Sequence, residues 1–570
     1  MEEGIVVDIL KSSIQWSLTD EGMGHLERAG LAGLYLSLTS AERRAAEGDP
    51  KAKHLGEVLH WKTTDACVRL DWQGEDLAVM STLMEWAWQI RDGVYYLPGI
   101  HRDNDARDNW ILRVQTHSGL LGTFLQFGGQ LKPEVTEPVT IPIQFDPDNI
   151  NQTITVRYRP IKAGEETRQL GALKTKKICP LRNKQGKMRT ISLPGWISPG
   201  AAKRFGEIEE NWTGLTEKGL LLLFAPIACF YISLPTTKSK KKMRDNWAFL
   251  VPEIRSLTEF AERCHEVQSK FQCRFDDLRV SGLGDGGLRF AVIYSGNLSL
   301  RPLRVPVINL TSMGVTDYYS SLPKVTNRIR TQVLKLNPSH NALVKYSKLM
   351  QYMANTTVRI SLNNVIDEGT EESEITKATH WIRIPTARGR IAHNLVHNRA
   401  WYIDLIYPTH WQIDDLEKQR EKQSNGTSKE RLWFMNLQRE WRELMELTEE
   451  DVMWDSPEEK ALLSIFHGAL RRLLDKETEA LSRGGSRSLH ERWERRVEGI
   501  RRDLLHAKTL ILVREFVMEL LAEAGGSKDL TDNKAAIWRL VNHPGEWKKA
   551  RDLALLALVT FTDGRLAKSE

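Results

Sequence analysis

Hydrophobic positions recur every three or four residues in the first part of the chain, a spacing that predicts amphipathic helices. Three stretches show this spacing: 25–38 (HLERAGLAGLYLSL), 41–61 with a break at Gly48-Asp49-Pro50, and 77–91. Gly30 and Gly33 lie three residues apart in the first stretch. Because glycine weakens a helix by about 1 kcal/mol relative to alanine, this pair predicts the close approach of another backbone segment.

Between about residues 135 and 310 the hydrophobic period changes to two, which is typical of strands with one buried face. At Ile154, Val156 and Tyr158, for example, the intervening residues are polar. Further strands are expected at 189–193, 288–294 and 303–308, with a helical insertion at 256–271. The middle of the chain should therefore be antiparallel and rich in β-structure.

The longest apolar run is 219–234 (GLLLLFAPIACFYISL), and Pro226 interrupts it. The run is shorter than the roughly 20 residues that a membrane-spanning helix needs. We therefore expect it in a core, as two strands or as a strand and a short helix, and we expect no membrane partner. The chain starts without the features of a signal peptide, and its five cysteines have no paired spacing. Both features favour a cytoplasmic protein with reduced thiols.

After about residue 414 the pattern becomes helical, behind a polar stretch at 417–430 that contains the turn signal Asn425-Gly426. Four or five amphipathic helices with short connections predict a compact bundle. The expected fold class is α+β. Its expected parts are a large mixed α/β N-terminal part (1–130), a β-rich part with basic loops (131–414), a polar linker (415–430) and a C-terminal helical bundle (431–570).

The net charge is only +6, but the positive residues are unevenly distributed. Residues 157–189 contain eleven lysines and arginines against two glutamates, and residues 238–244 (KSKKKMR) contain five positive charges and no acid. Clustered cations on loops attract the phosphate backbone of nucleic acids, because each contact releases condensed counterions. The simpler alternative is a solvated loop that binds nothing. The candidate phosphate contacts are Lys174, Lys176, Lys177, Lys184, Lys187 and Arg189, followed by Lys238, Lys240, Lys241, Lys242 and Arg244.

Three patterns resemble catalytic or cofactor motifs without completing them. Residues 282–288 (GLGDGGL) have the glycine spacing of a dinucleotide-binding loop, but such a loop precedes a helix, and here the strand-like 289–294 follows. A hairpin loop is expected instead. His101-Arg102-Asp103 lacks the correctly spaced asparagine of a kinase catalytic loop, and His393 and His397 lack the glutamate of a zinc protease. We therefore expect no enzymatic activity, no cofactor and no metal.

Two segments offer groups that could approach base edges. Arginine suits guanine and asparagine suits adenine, and glycine lets a backbone come close. The candidates for base reading are Gly284, Gly286, Arg289, Asn104 and Asn109. Two other functions stay open: a metal-dependent nuclease or other nucleic-acid enzyme with carboxylates from distant segments, and a protein-interaction scaffold whose basic loops only aid solubility.

Two short stretches carry a resemblance to a known family. Residues 28–34 (RAGLAGL) and 95–99 (YYLPG) resemble the large subunit of type I-B CRISPR Cascade complexes, in the MYXAN variant that also occurs in cyanobacterial CRISPR-associated transposons. The layout of the whole chain, a mixed α/β part followed by a helical part, also resembles that of this family.

The resemblance implies a non-catalytic protein in a ribonucleoprotein complex. Its implied partners are a guide RNA (crRNA), target double-stranded DNA, the backbone, handle-binding and small subunits and, in transposon-linked variants, transposition proteins. The large subunit contacts the protospacer-adjacent motif and the 5′ handle of the guide. The helical part resembles the small subunit, which an internal start at Met435, Met445 or Met453 would produce separately. No short motif marks the residues that read the adjacent motif.

Overall fold

The computed structural model divides the chain into two compact units, Met1–Asn337 (unit 1) and Pro338–Glu570 (unit 2). The polar stretch at 415–430, where we expected a linker, therefore does not coincide with the division, and of this stretch only 428–430 is described. The residues that the structure describes are 11–102, 107–125, 137–142, 153–175, 178–194, 211–234, 246–267, 280–294, 310–313, 333–336, 338–361, 378–409, 412–413, 428–483, 488–525, 528–563 and 566.

Unit 1 begins with a three-stranded antiparallel sheet in the order β1-β3-β2 and three helices. The elements are β1 (Lys11–Ser17), α1 (His25–Ala46), α2 (Pro50–Val58), β2 (Leu59–Thr63), β3 (Cys67–Gln73) and α3 (Asp76–Ala87). The predicted break between α1 and α2 is confirmed: the Asp49 carboxylate accepts hydrogen bonds from the N–H groups of Lys51 (2.9 Å) and Ala52 (3.2 Å), which caps α2.

The predicted helices extended too far at their ends. Residues 59–61 lie in β2 and residues 89–91 lie in a short strand. In β2 the buried Leu59 precedes side chains that alternate between exposed and half-buried, which suits a strand and not a helix. The helical spacing therefore ended earlier than we predicted.

The rest of unit 1 contains small antiparallel pairs, one four-stranded sheet and the helices between them. The pairs are β4 (Gln89–Arg91) with β5 (Val94–Tyr96), β6 (Glu137–Pro142) with β7 (Thr153–Tyr158), and β8 (Thr190–Pro194) with β9 (Asn211–Leu215). The four-stranded sheet is β10 (Phe230–Leu234), β11 (Asn246–Val251), β12 (Leu310–Met313) and β13 (Val333–Leu336). The helices are α4 (Arg107–Gly122), α5 (Arg168–Thr175), α6 (Thr216–Leu222), α7 (Leu257–Val267) and α8 (Leu283–Tyr294).

Helix α1 lies in the core of unit 1, and its two glycines allow another segment to approach it. A Cβ atom on Gly30 would lie 2.2 Å from the carbonyl oxygen of Leu221, and one on Gly33 would lie 2.2 Å from that of Phe224. This confirms the predicted close approach. The apolar run that makes the contact consists of α6, a 3-10 turn (Ala225–Ile227) and β10, so the alternative of a strand with a short helix is the correct one.

The YYLPG stretch (95–99), one of the two that carry the family resemblance, packs against the part of α1 that follows the other stretch, 28–34. A Cβ atom on Gly99 would lie 3.1 Å from the carbonyl carbon of Leu36 in α1. The indole N–H of Trp86 donates to the carbonyl oxygen of Ser37 (2.9 Å), and Tyr95 and Tyr96 are both buried. Both stretches are therefore part of the packed core of unit 1.

The strand predicted at 288–294 and the hairpin loop predicted before it are wrong, because helix α8 spans Leu283–Tyr294. The buried Asp285 carboxylate accepts hydrogen bonds from the N–H (2.8 Å) and the hydroxyl (2.9 Å) of Ser281, which stabilises the first turn. The run Leu288–Tyr294 is apolar on nearly every side, and such a run does not distinguish a strand from a buried helix by its period. The strand predicted at 303–308 lies outside the described residues.

Unit 2 is mainly helical. It starts with α9 (His340–Tyr352), the antiparallel pair β14 (Thr356–Ser361) and β15 (Ala378–Arg383), and α10 (Thr386–Val396). The helices that follow are α11 (Ser428–Glu449), α12 (Pro457–Ser482), α13 (Leu489–His506), α14 (Leu510–Ala524), α15 (Lys528–Asp532), α16 (Lys534–Asn542) and α17 (Trp547–Thr560). Ten of the 14 residues of α17 are buried, so this helix is central to the bundle.

The α+β fold class is confirmed by these small antiparallel sheets and by the helical C-terminal region. The strands at β7 and β8 agree with the predictions at 154–158 and 189–193. Among the described residues, no helix is both long enough and apolar enough to cross a membrane.

Candidate nucleic-acid interface

The basic sequence includes a tight hairpin at 181–189, here called the basic hairpin. A β-bridge between Arg182 and Met188 closes it. At the tip, the side-chain oxygen of Asn183 accepts hydrogen bonds from the N–H groups of Gln185 (2.9 Å) and Lys187 (3.0 Å). Gly186 has a φ of +76°, which a residue with a side chain rarely adopts. The tip is therefore a fixed turn.

The base of the basic hairpin is tied to the body of unit 1. The N–H of Leu181 donates to the Asp76 carboxylate (2.8 Å), and the hydroxyl of Thr216 donates to the carbonyl oxygen of Leu181 (2.6 Å). Arg182 donates to the carbonyl oxygen of Ser13 (2.8 Å). These hydrogen bonds anchor the first two residues of the hairpin to the body of unit 1.

The predicted phosphate contacts on this hairpin have different roles. Lys184 and Lys187 are exposed on the tip. Arg189 is half-buried, and its guanidinium donates to the carbonyl oxygen of Pro180 (2.6 Å), so it anchors the hairpin. Lys174, near the end of α5, is exposed and lies 2.7 Å from a Glu166 carboxylate oxygen. An exposed ion pair of this kind contributes little and exchanges readily.

The positions of the remaining charged candidates are not described. Lys176 and Lys177, and the whole second basic segment with Lys238, Lys240, Lys241, Lys242 and Arg244, lie outside the described residues.

The base-reading candidates lie in two places. Asn104 lies outside the described residues, and Asn109 belongs to α4, but its side chain is not described. Gly284, Gly286 and Arg289 belong to α8 and are buried. A Cβ atom on Gly286 would lie 2.3 Å from the Ile232 side chain, so this glycine packs against β10. Burial in the core does not suit base reading.

A group of arginines around Tyr96 was missed by the sequence reasoning. Arg44, Arg91 and Arg113 place their guanidinium carbons within 6 Å of the Tyr96 ring centroid. We call these three residues the arginine cluster. They come from α1, β4 and α4, so their positions along the chain give no charge run that would have revealed them.

The histidines of the incomplete catalytic motifs are His101 and the pair His393 and His397, and their surroundings favour a structural role. His101 is fully buried. Burial is the main cause that lowers its pKa to about 3, and the nearby charges of Arg113 and Arg91 act in the same direction. The rings of His393 and His397 lie 4.3 Å apart, and the Nδ1 atom of His397 is 2.8 Å from the carbonyl oxygen of His393. Within the described part of the chain, no group of three or more His, Cys, Asp or Glu side chains is arranged to hold a metal ion.

Cys179, Cys229 and Cys264 are poor nucleophiles at neutral pH. Burial raises the pKa of the Cys179 thiol to about 12, and the Asp76 carboxylate contributes in the same direction. Burial also raises the pKa values of Cys229 and Cys264. A thiol that stays protonated does not attack a substrate. The raised pKa values therefore favour a packing role for these three cysteines.

Two protein-domain models match the chain, one at each end. The DevT N-terminal domain matches residues 15–224, which contain α1, the basic hairpin and the arginine cluster. The DevT C-terminal domain matches residues 449–569, which contain helices α12 to α17.

A protein of Myxococcus xanthus (strain DK1622), named CRISPR-associated protein Cas8a1/Csx13, is similar to nearly the whole chain. It is 24% identical over 551 residues, which cover 95% of this chain and 87% of the relative. The similarity therefore extends through both units.

Proposed function

We propose that this chain is the large subunit of an RNA-guided CRISPR Cascade complex of type I-B, and that it binds nucleic acid without catalysing a reaction. The observation that carries this proposal is the similarity to a CRISPR-associated protein over 95% of the chain. A similarity of this extent concerns the entire architecture and not a shared module.

The basic hairpin is the proposed contact with the phosphate backbone. Lys184 and Lys187 are exposed on a turn that Asn183 holds in one conformation. Because the turn is already ordered, binding costs less conformational entropy than it would on a mobile loop. Lysine ammonium groups bind phosphates as point charges and carry no sequence information, so the hairpin would contribute affinity.

The proposal extends to several further partners. They are the guide RNA, target double-stranded DNA with its protospacer-adjacent motif, the other Cascade subunits and, in a transposon-linked system, transposition proteins. Lys174 and the basic residues outside the described part of the chain are proposed as further phosphate contacts, with the same chemistry as the hairpin lysines.

We also propose that the helical end of the chain is made separately as a small subunit. The match to the DevT C-terminal domain starts at residue 449, close to Met453, and helices α12 to α17 follow that methionine. A start at Met435 or Met445 would add part of α11. A C-terminal tag should reveal a second, shorter band on an immunoblot, and Met453→Leu should remove it if Met453 is the start. A full-length band alone would contradict this part of the proposal.

The experiment that tests the hairpin is a binding titration of full-length protein with fluorescent single-stranded RNA and double-stranded DNA. Lys184→Ala/Lys187→Ala should weaken binding and reduce the salt dependence by about 0.7 per lost contact on single-stranded RNA. The matched control is Lys51→Ala/Lys53→Ala, which removes the same charge from exposed positions on α2. Equal effects of both double variants would contradict a specific role for the hairpin. Cleavage of the nucleic acid that depends on magnesium or manganese would instead favour a nuclease.

A further inference from the structure

The arginine cluster brings three positive charges to one aromatic ring. The guanidinium carbons of Arg91, Arg113 and Arg44 lie 3.7, 5.4 and 5.6 Å from the Tyr96 ring centroid. The ring itself is buried, and its hydroxyl donates to the carbonyl oxygen of His101 (3.3 Å). A cation over a tyrosine face is attracted by the ring quadrupole, but three cations around one ring also repel each other.

The β4–β5 hairpin positions Arg91. Asp92 and Gly93, its two turn residues, both have positive φ values of 54° and 74°, as a tight two-residue turn requires. The register places Gln89 opposite Tyr96, so Arg91, two residues further along β4, lies on the same face and diagonal to the ring. The Gln89 side-chain oxygen accepts from Nε (3.1 Å) and Nη2 (2.8 Å) of Arg91.

Helices α4 and α1 provide the other two members of the cluster. Arg113 donates to the carbonyl oxygen of Arg91 (2.8 Å) and lies 3.4 Å from the Asp92 carboxylate, which is 74% exposed. Arg44, in the last turn of α1, is 3.6 Å from the Asp49 carboxylate. Arg91 and Arg113 are partly exposed, while the Arg44 side chain is only 3% exposed.

Three positive charges lie close together in this region. Burial lowers the pKa of Arg91, and the like charges of Arg44 and Arg113 lower it further. His101 is fully buried beside the cluster; its Nδ1 accepts from the N–H of Leu97 (2.9 Å), and its Nε2 has no hydrogen-bond partner among the described residues. An anion placed against the partly exposed Arg91 and Arg113 would stabilise the charged forms of all three arginines.

We propose that Arg91 and Arg113, supported by the charge of Arg44, bind a phosphate group of a nucleic-acid strand. The planar guanidinium fork matches two phosphate oxygens, and here two such forks are held in place by Gln89, the Arg91 carbonyl and the Tyr96 ring. The inference rests on the proposed function, since a nucleic acid would supply the phosphodiester. A free phosphate ion has the same chemistry and is the other source to be tested.

The test uses full-length protein and compares three variants in the RNA titration. Arg91→Met/Arg113→Met removes both forks, and Arg91→Lys/Arg113→Lys retains the charge without the fork. The control is Arg69→Met/Arg255→Met, which removes two exposed arginines that pair with Asp71 and Glu253. We expect the first variant to lower RNA affinity at least tenfold and to reduce the salt slope by about 0.7 per lost contact, with a smaller loss for the lysine variant and little change for the control. The lysine variant keeps the test valid if the methionine variant is unfolded.

A second measurement separates failure of this inference from failure of the proposed function. Thermal unfolding is followed in inorganic phosphate and in chloride at equal ionic strength. If the protein binds no RNA but phosphate raises the unfolding temperature of the unaltered chain and not of the Arg91/Arg113 variants, the site takes a free phosphate and the proposed function fails. If the hairpin variant weakens RNA binding while the cluster variants match the control in both assays, the inference is overturned and the proposed function stands. If neither RNA nor phosphate responds, both are overturned.

Discussion

Gly30 in α1 faces the carbonyl oxygen of Leu221 so closely that a Cβ atom would lie 2.2 Å away. The neighbour is backbone and cannot rotate aside. We therefore predict that Gly30→Ala destabilises unit 1 by about 1–3 kcal/mol or more, as overpacking of a core does. Denaturant unfolding measures this change.

The control for this prediction is Gly56→Ala. Gly56 lies in α2 with nothing within 4 Å of its would-be Cβ atom, so alanine should stabilise the helix there by about 0.5–1 kcal/mol. If both alanine substitutions changed the free energy of unfolding in the same direction, the close approach of the two backbones would not be what requires glycine at residue 30.

The side chain of Asn183 is predicted to order the tip of the basic hairpin. Asn183→Ala removes two hydrogen bonds to backbone N–H groups and leaves Lys184 and Lys187 unchanged. Amide hydrogen exchange at residues 184–187 should become faster, and RNA affinity should fall severalfold although no charge is lost. Gln185→Ala, at an exposed neighbour, serves as the control. Unchanged exchange with weaker RNA binding would mean that Asn183 contacts the RNA directly.

A buried ion pair is predicted to be important for the fold of unit 2. Arg383 donates from both terminal nitrogens to the Glu443 carboxylate (2.7 and 2.9 Å), and both side chains are buried. Glu443→Ala would leave the guanidinium buried without this partner, a change that costs about 3–5 kcal/mol. Asp451→Ala breaks the exposed pair with Lys460 and should cost less than about 1 kcal/mol. Similar unfolding free energies for the two variants would contradict this account.

Buried histidines predict a loss of stability in acid. Burial lowers the pKa of His117 to about 4; its Nε2 lies 2.8 Å from the carbonyl oxygen of Arg159, and its Nδ1 accepts from the N–H of Tyr95. A folded-state pKa below the ordinary value of about 6.5 means that the folded form favours the neutral ring. Its stabilising effect is therefore complete above about pH 6.5 and declines as the pH falls towards 4. His117→Gln should make the fall of the unfolding free energy between these pH values less steep, while buried His101 still contributes; an unchanged slope would assign the effect to other groups.

The sequence predicted features that depend on local pattern. Gly30 and Gly33 indicated a backbone contact because glycine weakens a helix, and Gly48-Asp49-Pro50 indicated a break in the helical stretch. The run 288–294 was assigned wrongly because an apolar segment buried on all sides has no diagnostic period.

The arginine cluster shows what a local pattern does not reveal. Arg44, Arg91 and Arg113 are far apart along the chain, and only the packing of α1, β4 and α4 brings them to Tyr96. By contrast, the exposure of Lys184 and Lys187 followed from a dense charge run, although the anchoring of Arg189 on Pro180 did not. A charge run identifies a basic surface, while the division of its members into anchors and free cations requires the fold.

The most direct test of the proposed function is the RNA content of the complex that forms when the tagged full-length chain is co-expressed with its genomic neighbours. We predict that the purified protein retains other Cascade subunits and a discrete RNA of guide length with repeat-derived ends, and that Lys184→Ala/Lys187→Ala retains less of this RNA than Lys51→Ala/Lys53→Ala does. Purification of the chain with neither RNA nor partner subunits would contradict the proposed function.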